Sequence, residues 1–270
     1  MARGPTTSSL RGILRPEAVG ERFTLERRTP RPELAPYVER YWIVRWDLPA
    51  SEPYVSETLP FPAVNLVFES GRTAVHGIPK RRFSRRLEGR GSVLGVKWNP
   101  GGFVPFAGVS MHALVDRVVP LEGLFGEAGT ALDVRVLATD DDAERIACVE
   151  AFLLERRPPE PEPRIRLATE AVRVAEQSGT TRVEALAEQL GLSVRTLERL
   201  FRSHVGASPK WVLRRFRIHE AAERAAKGEA IEWARLADEL GFADQAHLSK
   251  EFRAQVGVSP SAYARRDRAR

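Results

Sequence analysis

The sequence predicts an α+β protein, with a β-rich first part and an all-helical second part. Three observations lead there. Before residue 106, short runs rich in β-branched and aromatic residues alternate with Pro, Gly and Asn punctuation. After residue 164, apolar residues recur at i, i+3, i+4, i+7, the spacing of one buried helical stripe. Between the two, Pro158-Pro159-Glu160-Pro161-Glu162-Pro163 interrupts any regular element.

Residues 1–20 mix Arg, Gly, Pro, Ser and Thr without periodicity and read as a loose tail. Within a first domain over 21–157, Tyr41–Trp46, Val64–Phe68, Thr73–His76 and Val93–Trp98 are candidate strands. Their separators include Pro60, Pro62, Gly71, Gly77 and Asn99-Pro100-Gly101-Gly102, the punctuation of a small barrel or sandwich. Trp42, Trp46, Phe68, Trp98 and Phe103, with His76 as a polar group, are candidates to line an apolar ligand pocket. Ordinary core is the competing use of each. His76, His112 and Glu57 are too few and too scattered for a metal site. The run Lys80-Arg81-Arg82-Phe83-Ser84-Arg85-Arg86 fits a solvated strand edge, or a contact to DNA phosphate or an acidic ligand.

From Asp140 to Arg157, acidic residues at the start and arginines at the end suit the poles of a helix dipole. Its stripe of Ile146, Val149, Phe152 and Leu153 has two open uses, packing on its own domain or dimerisation. The proline run 158–163 is then an extended spacer and the domain boundary, leaving 164–270 as the helical domain.

That domain opens with a helix carrying Ile165, Leu167, Ala168, Val172 and Ala175. Val183, Leu186, Ala187 and Leu190 mark the next, which Gly191 stops. Ser193 is placed to cap a following helix whose stripe is Leu197, Leu200 and Phe201. Two short helices about a glycine turn, over about 183–205, form a helix-turn-helix. The pattern then returns over about 233–256: Trp233, Leu236, Ala237 and Leu240, then Gly241, then Leu248 and Phe252. Val205-Gly206-Ala207-Ser208-Pro209 likewise returns as Val256-Gly257-Val258-Ser259-Pro260. Between the copies, about 209–227 reads as one long helix anchored by Trp211, Val212, Phe216 and Ala222, with Arg214, Arg215 and Arg217 on its polar face.

Gly241-Phe242, Asp244-Gln245, His247-Leu248, Phe252-Arg253, Gly257-Val258-Ser259-Pro260 and Tyr263 resemble the densest signature of the AraC/XylS (arabinose-regulator) family of bacterial transcription regulators. The resemblance covers about 164–266. It implies two helices reading successive major grooves of DNA, about one turn or ~34 Å apart, with double-stranded DNA as partner and RNA polymerase as a further one. It also implies a dimerising helix near 140–157. The order of elements before residue 106 is similar to a sensor-like, cupin-like domain attached to such regulators, which implies a small-molecule effector.

On the first reading helix the exposed candidates are Arg195, Thr196, Glu198, Arg199 and Arg202. An arginine fork matches guanine O6 and N7 or a phosphate, and Glu198 either accepts from cytosine N4 or pairs with Arg195 or Arg202. On the second they are Gln245, His247, Ser249, Lys250 and Arg253, with Gln245 suited to adenine and Asp244 implied as the helix cap. Ala246 stands where relatives often carry a polar residue.

The net charge of +6 agrees with an anionic partner without requiring one. The lone Cys148 excludes an internal disulfide, and no Cys/His spacing suggests a structural metal. No signal-peptide core or membrane-length run occurs, so a cytoplasmic protein is expected. No catalytic constellation or cofactor motif emerges. The rival readings are a DNA-targeted enzyme of the alkylation-response type, which would need a reactive thiolate at Cys148, and an architectural DNA binder without base discrimination.

Overall fold

The computed structural model describes residues 10–226 and 231–268. The first domain is built on a six-stranded antiparallel sheet in the order β1-β2-β7-β4-β5-β8. Its strands are β1 (Thr24–Arg28), β2 (Val38–Leu48), β4 (Asn65–Phe68), β5 (Ala74–His76), β7 (Gly89–Trp98) and β8 (Val118–Val119). A separate ribbon pairs β3 (Tyr54–Thr58) with β6 (Phe83–Leu87). All four expected strands are present as β2, β4, β5 and β7, with β4 and β5 each starting one residue later than expected. The sheet is open, with β1 and β8 at its edges, so the β-rich domain is not a hydrogen-bonded closed barrel.

Strand alternation divides the aromatic residues between two faces. Tyr41 and Ile43 enter the main core with Phe68, Trp98 and Phe103. Trp42 and Trp46 face the other way, with Phe23, Leu48 and Leu87. Each indole lies over a cross-strand glycine, Trp42 opposite Gly95 and Trp46 opposite Gly91. A Cβ added at Gly95 would lie 1.9 Å from Trp42 Cε2, so only glycine leaves room for the ring.

After β7 come the short α1 (Val104–Ala107) and α2 (Leu121–Phe125), then α3 (Glu127–Leu137) and α4 (Asp142–Arg156). Asp141 caps α4 by accepting from Glu144 N, and the helix lies on the main core. Val149, Phe152 and Leu153 are buried there, and Glu150 accepts from Tyr41 Oη at 3.3 Å and pairs with Arg31 Nε at 2.9 Å. The stripe expected to serve either packing or dimerisation is therefore consumed inside its own chain. Cys148 is half-buried against the same core.

The proline run is a short link, because α5 (Pro163–Gln177) already starts at the last proline. Ile165 and Trp211 then pack against the first-domain core. Beyond α5 follow α6 (Val183–Gln189), α7 (Val194–Leu200), a π-type turn over Phe201–Val205, and the long α8 (Pro209–Ala226). The last elements are α9 (Trp233–Glu239), α10 (Gln245–Val256) and α11 (Pro260–Arg268). The expected end of the long helix at 227 lies outside the described residues.

Two cores support these helices. One joins α5, α6, α7 and the first part of α8 through Leu186, Leu197, Phe201 and Val212. The other joins the end of α8 to α9, α10 and α11 through Leu236, Leu248, Phe252 and Tyr263, and it takes in Leu14 and Leu59 from the first domain. Leu14 is 4% exposed, and its carbonyl accepts from Tyr263 Oη at 2.6 Å. The tail expected to be loose over 1–20 is therefore packed from about residue 10, and 1–9 lie outside the described residues. Composition did not show this, because Leu14 buries itself in a distant element rather than in a local stripe.

Candidate nucleic-acid interface

The two helix-turn-helix units repeat in structure as they do in sequence. Gly191 and Gly241 end α6 and α9 with φ of +64° and +67°, where a Cβ would be strained. Ser193 Oγ then accepts from Thr196 N at 3.2 Å, capping α7, and Asp244 Oδ1 accepts from His247 N at 2.7 Å, capping α10. Ser208 and Ser259 cap the following helices in the same way, from Trp211 N and Ala262 N.

Leu197, Leu200, Leu248 and Phe252 turn inward. The opposite faces are exposed at Arg195, Glu198, Arg199 and Arg202 on the first unit, and at Gln245, His247, Lys250 and Arg253 on the second. Thr196 and Ser249 are half-buried. Thr196 Oγ1 is 2.9 Å from Ser193 Oγ, so its hydroxyl belongs to the helix cap. His247 stands edge-on to Phe242 at 5.4 Å, and its Nδ1 accepts from Ala243 N at 3.4 Å, which ties it to the turn. Among the described residues Glu198 forms no ion pair with Arg195 or Arg202, the arrangement left open above.

The linker-helix arginines are not a free polar face. Arg214 pairs with Glu251 of α10 at 3.1 Å, and Arg217 donates to the Gly241 carbonyl at 2.9 Å while lying over the Phe242 ring. Arg224 joins Glu220 on its own helix and Glu239 on α9. Arg215 is fully buried and donates to the Pro79 and Lys80 carbonyls of the first domain. Burial pulls its guanidinium down to about 10, against the attraction of Asp116, so it remains charged at neutral pH. The i, i+1, i+3 arginine pattern showed the charges. It did not show their partners, which lie on other elements.

The basic run is also largely paired. Arg82 Nη1 is 2.6 Å from Glu57 Oε1 and 3.1 Å from the Val256 carbonyl, Arg85 pairs with Glu69, and Arg86 with Glu88. The run is thus a solvated strand edge, exposed at most positions, on which Arg82 and Arg85 are held by carboxylates of the same domain.

The six candidate pocket residues are not brought together. Phe68, Trp98 and Phe103 are wholly buried on one face of the sheet, and Trp42 and Trp46 lie on the other. His76 sits edge-on to Phe83 at 6.0 Å, and burial lowers its pKa. A cleft of about 310 Å³ elsewhere on this domain is lined by Arg15, Arg22, Glu52 and Tyr54 among others, and by none of the six. No group of three or more His, Cys, Asp or Glu suited to a metal occurs among the described residues. No helix among them is long and apolar enough to cross a membrane.

Residues 186–266 match a family described as a helix-turn-helix domain, and residues 26–120 match a domain of unknown function, DUF6597. The chain is 36% identical over 77 residues to the HTH-type transcriptional activator RhaS of Escherichia fergusonii, a match covering 28% of this chain and 27% of RhaS. It is 38% identical over 79 residues to RhaS of Salmonella arizonae, with the same two coverages. The chain thus spans about a quarter of the length of these relatives. Among solved structures it is similar to the C-terminal domain of AraT, a response regulator from Geobacillus stearothermophilus, at 26% identity and a TM-score of 0.34, covering 40% of this chain and 87% of that one. The helix-turn-helix match over 186–266 thus falls on both repeated units of the second domain.

Proposed function

We propose that the chain is a sequence-specific DNA-binding transcription regulator of the AraC/XylS type, acting in the cytoplasm, with α7 and α10 reading successive major grooves. One contrast carries this reading. The linker-helix arginines, Arg82 and Arg85 are engaged with other elements of the protein. Arg195, Arg199 and Arg202 on one repeated helix, and Lys250 and Arg253 on the other, remain exposed. Arg195 and Arg199 lie one turn apart, placed for guanine or phosphate, while Gln245 stands at the start of α10, placed for an adenine edge. Lys250, Arg253 and Arg202 take phosphates and fix register. Thr196, Ser249 and His247 add contacts secondary to their structural bonds.

The first domain, together with the segment that reaches Tyr263, is the element that modulates the reader, and RhaS as a named activator favours activation over repression. An alkylation-response enzyme is disfavoured by Cys148, which lies half-buried against the core. A purely architectural role is disfavoured by the uncommitted side chains on both reading helices.

The test is repeated selection of random-sequence DNA on the full chain, read by sequencing and across salt concentrations. Two short blocks about ten base pairs apart are expected. Retention of DNA with no motif and a steep salt dependence would leave only the basic surface and sink the reading.

A further inference from the structure

One loop of the first domain touches the first helix-turn-helix, the linker helix and the second helix-turn-helix in turn. This is the β5–β6 connection, Ile78 to Arg82. At its start, Ile78 Cδ1 lies so close to Gly206 that a Cβ there would sit 2.7 Å from it, and 2.8 Å from the Met111 carbonyl oxygen. In its middle, the Pro79 and Lys80 carbonyls accept from the buried Arg215 of α8. At its end, Arg82 donates to the Val256 carbonyl in the last turn of α10, and a Cβ at Gly257 would sit 2.6 Å from Arg82 Nη1. Gly206 and Gly257 are equivalent positions of the internal repeat. The same loop therefore seats itself on the same glycine of both units.

The loop is itself held firmly. Lys80 N donates to Asp116 Oδ1 at 2.7 Å, and Asp116 N donates to the Ile78 carbonyl at 3.1 Å. Asp116 has φ of +55°, a strained conformation for a residue with a Cβ and one that tertiary structure must impose. Glu57 of β3 holds the Arg82 guanidinium at 2.6 Å. A loop fixed at both ends to one domain and touching three elements of another acts as a brace.

We propose that the segment Ile78–Arg82 braces the two reading units at one separation, so that the first domain, and not the linker helix alone, sets which operator spacing the protein accepts. The inference rests on the DNA-reading function above. Arg82 and Ile78 are positioning residues, because they act through the Val256 carbonyl, Gly257 and Gly206 and lie on neither reading helix. Joint binding gains affinity only when both units meet their blocks at once, so a fixed separation appears as a sharp spacing preference.

The experiment uses the full chain and the two-block site from selection, with the blocks moved apart and together by single base pairs, and a one-block site as reference. Wild type is expected to prefer one spacing by about tenfold or more. Arg82→Ala is expected to flatten that preference to about threefold or less while binding the one-block site as wild type does, with Arg82→Lys intermediate. Ile78→Val removes the Cδ1 atom that meets Gly206 and is expected to act in the same direction, so it decides the matter if Arg82→Ala does not fold. An unchanged spacing profile in the folded variants overturns the brace, as does an equal loss on one-block and two-block sites. A wild type without any spacing preference would also overturn the brace, whereas a wild type that binds the two-block site no more tightly than the one-block site would overturn the two-helix reading itself.

Discussion

At the scale of single residues, exposure separates readers from supports. Arg199 and Gln245 are exposed on their helices, and removing either side chain leaves the fold's cores untouched. Arg199→Ala and Gln245→Ala are each expected to cost about 1–3 kcal/mol on the selected site and much less on unrelated DNA. Equal loss on all sequences, measured by titration at fixed salt, would remove them from the base readers. Asp244 is exposed too, but its carboxylate accepts from His247 N at 2.7 Å as the cap of α10. Asp244→Ala is therefore expected to lower unfolding stability by about 1 kcal/mol through the orphaned helix donor, whereas Asp244→Ser should retain most of it. Denaturant titration of the three proteins checks this. Glycine turns, caps and apolar stripes were legible at this scale because each depends on neighbours within a few positions. Thr196 has a further role that spacing does not show, since its hydroxyl closes the Ser193 cap.

At the scale of elements, the main strands and helices α5 to α10 could be read from periodicity, but β1, β3, β8 and α11 could not. β8 is a two-residue edge, and β6 is part of a charged run whose pairing with β3 compensates for poor strand propensity. The pairing of β2 with β7 also explains why aromatic residues did not assemble a pocket. Trp42 and Trp46 lie flat over Gly95 and Gly91 on the face opposite Trp98. Gly95→Ala is expected to destabilise the first domain by about 1–3 kcal/mol, by forcing the indole off its seat. A loss of Trp42 burial in fluorescence should accompany it, and an unchanged melting curve would contradict the packing argument. The α4 stripe shows the same limit: an amphipathic pattern states that a face is covered, not by what. Phe152 meets Phe125 at 5.2 Å within the chain.

At the scale of the whole molecule, the two domains share charged and aromatic groups in a contact no local pattern announces. His219 of α8 is 2% exposed and lies 4.6 Å from the ring of Phe61. Burial, followed by the nearby Arg215, Arg11 and Lys97 charges, holds its pKa well below the ordinary value, against a hydrogen bond to the Pro60 backbone. The folded chain keeps this imidazole neutral while the unfolded chain takes up a proton below about pH 6.5. Its contribution to stability is thus complete above that pH and is lost as the pH falls. Between about pH 7 and pH 5, the melting temperature of wild type should fall more steeply than that of His219→Phe, and parallel curves would remove His219 from the acid response. The sequence by itself determined the α+β class, the two helix-turn-helix units, their caps and the exposed sides of the reading helices. Those features arise from residues close along the chain, where spacing and backbone preference suffice. Only the tertiary structure decided that the linker arginines are tied inward, that Leu14 is buried beside Tyr263, and that Ile78–Arg82 spans both units. Each of these contacts joins residues far apart in sequence, whose partners are chosen by shape and by the cost of leaving a buried charge unpaired.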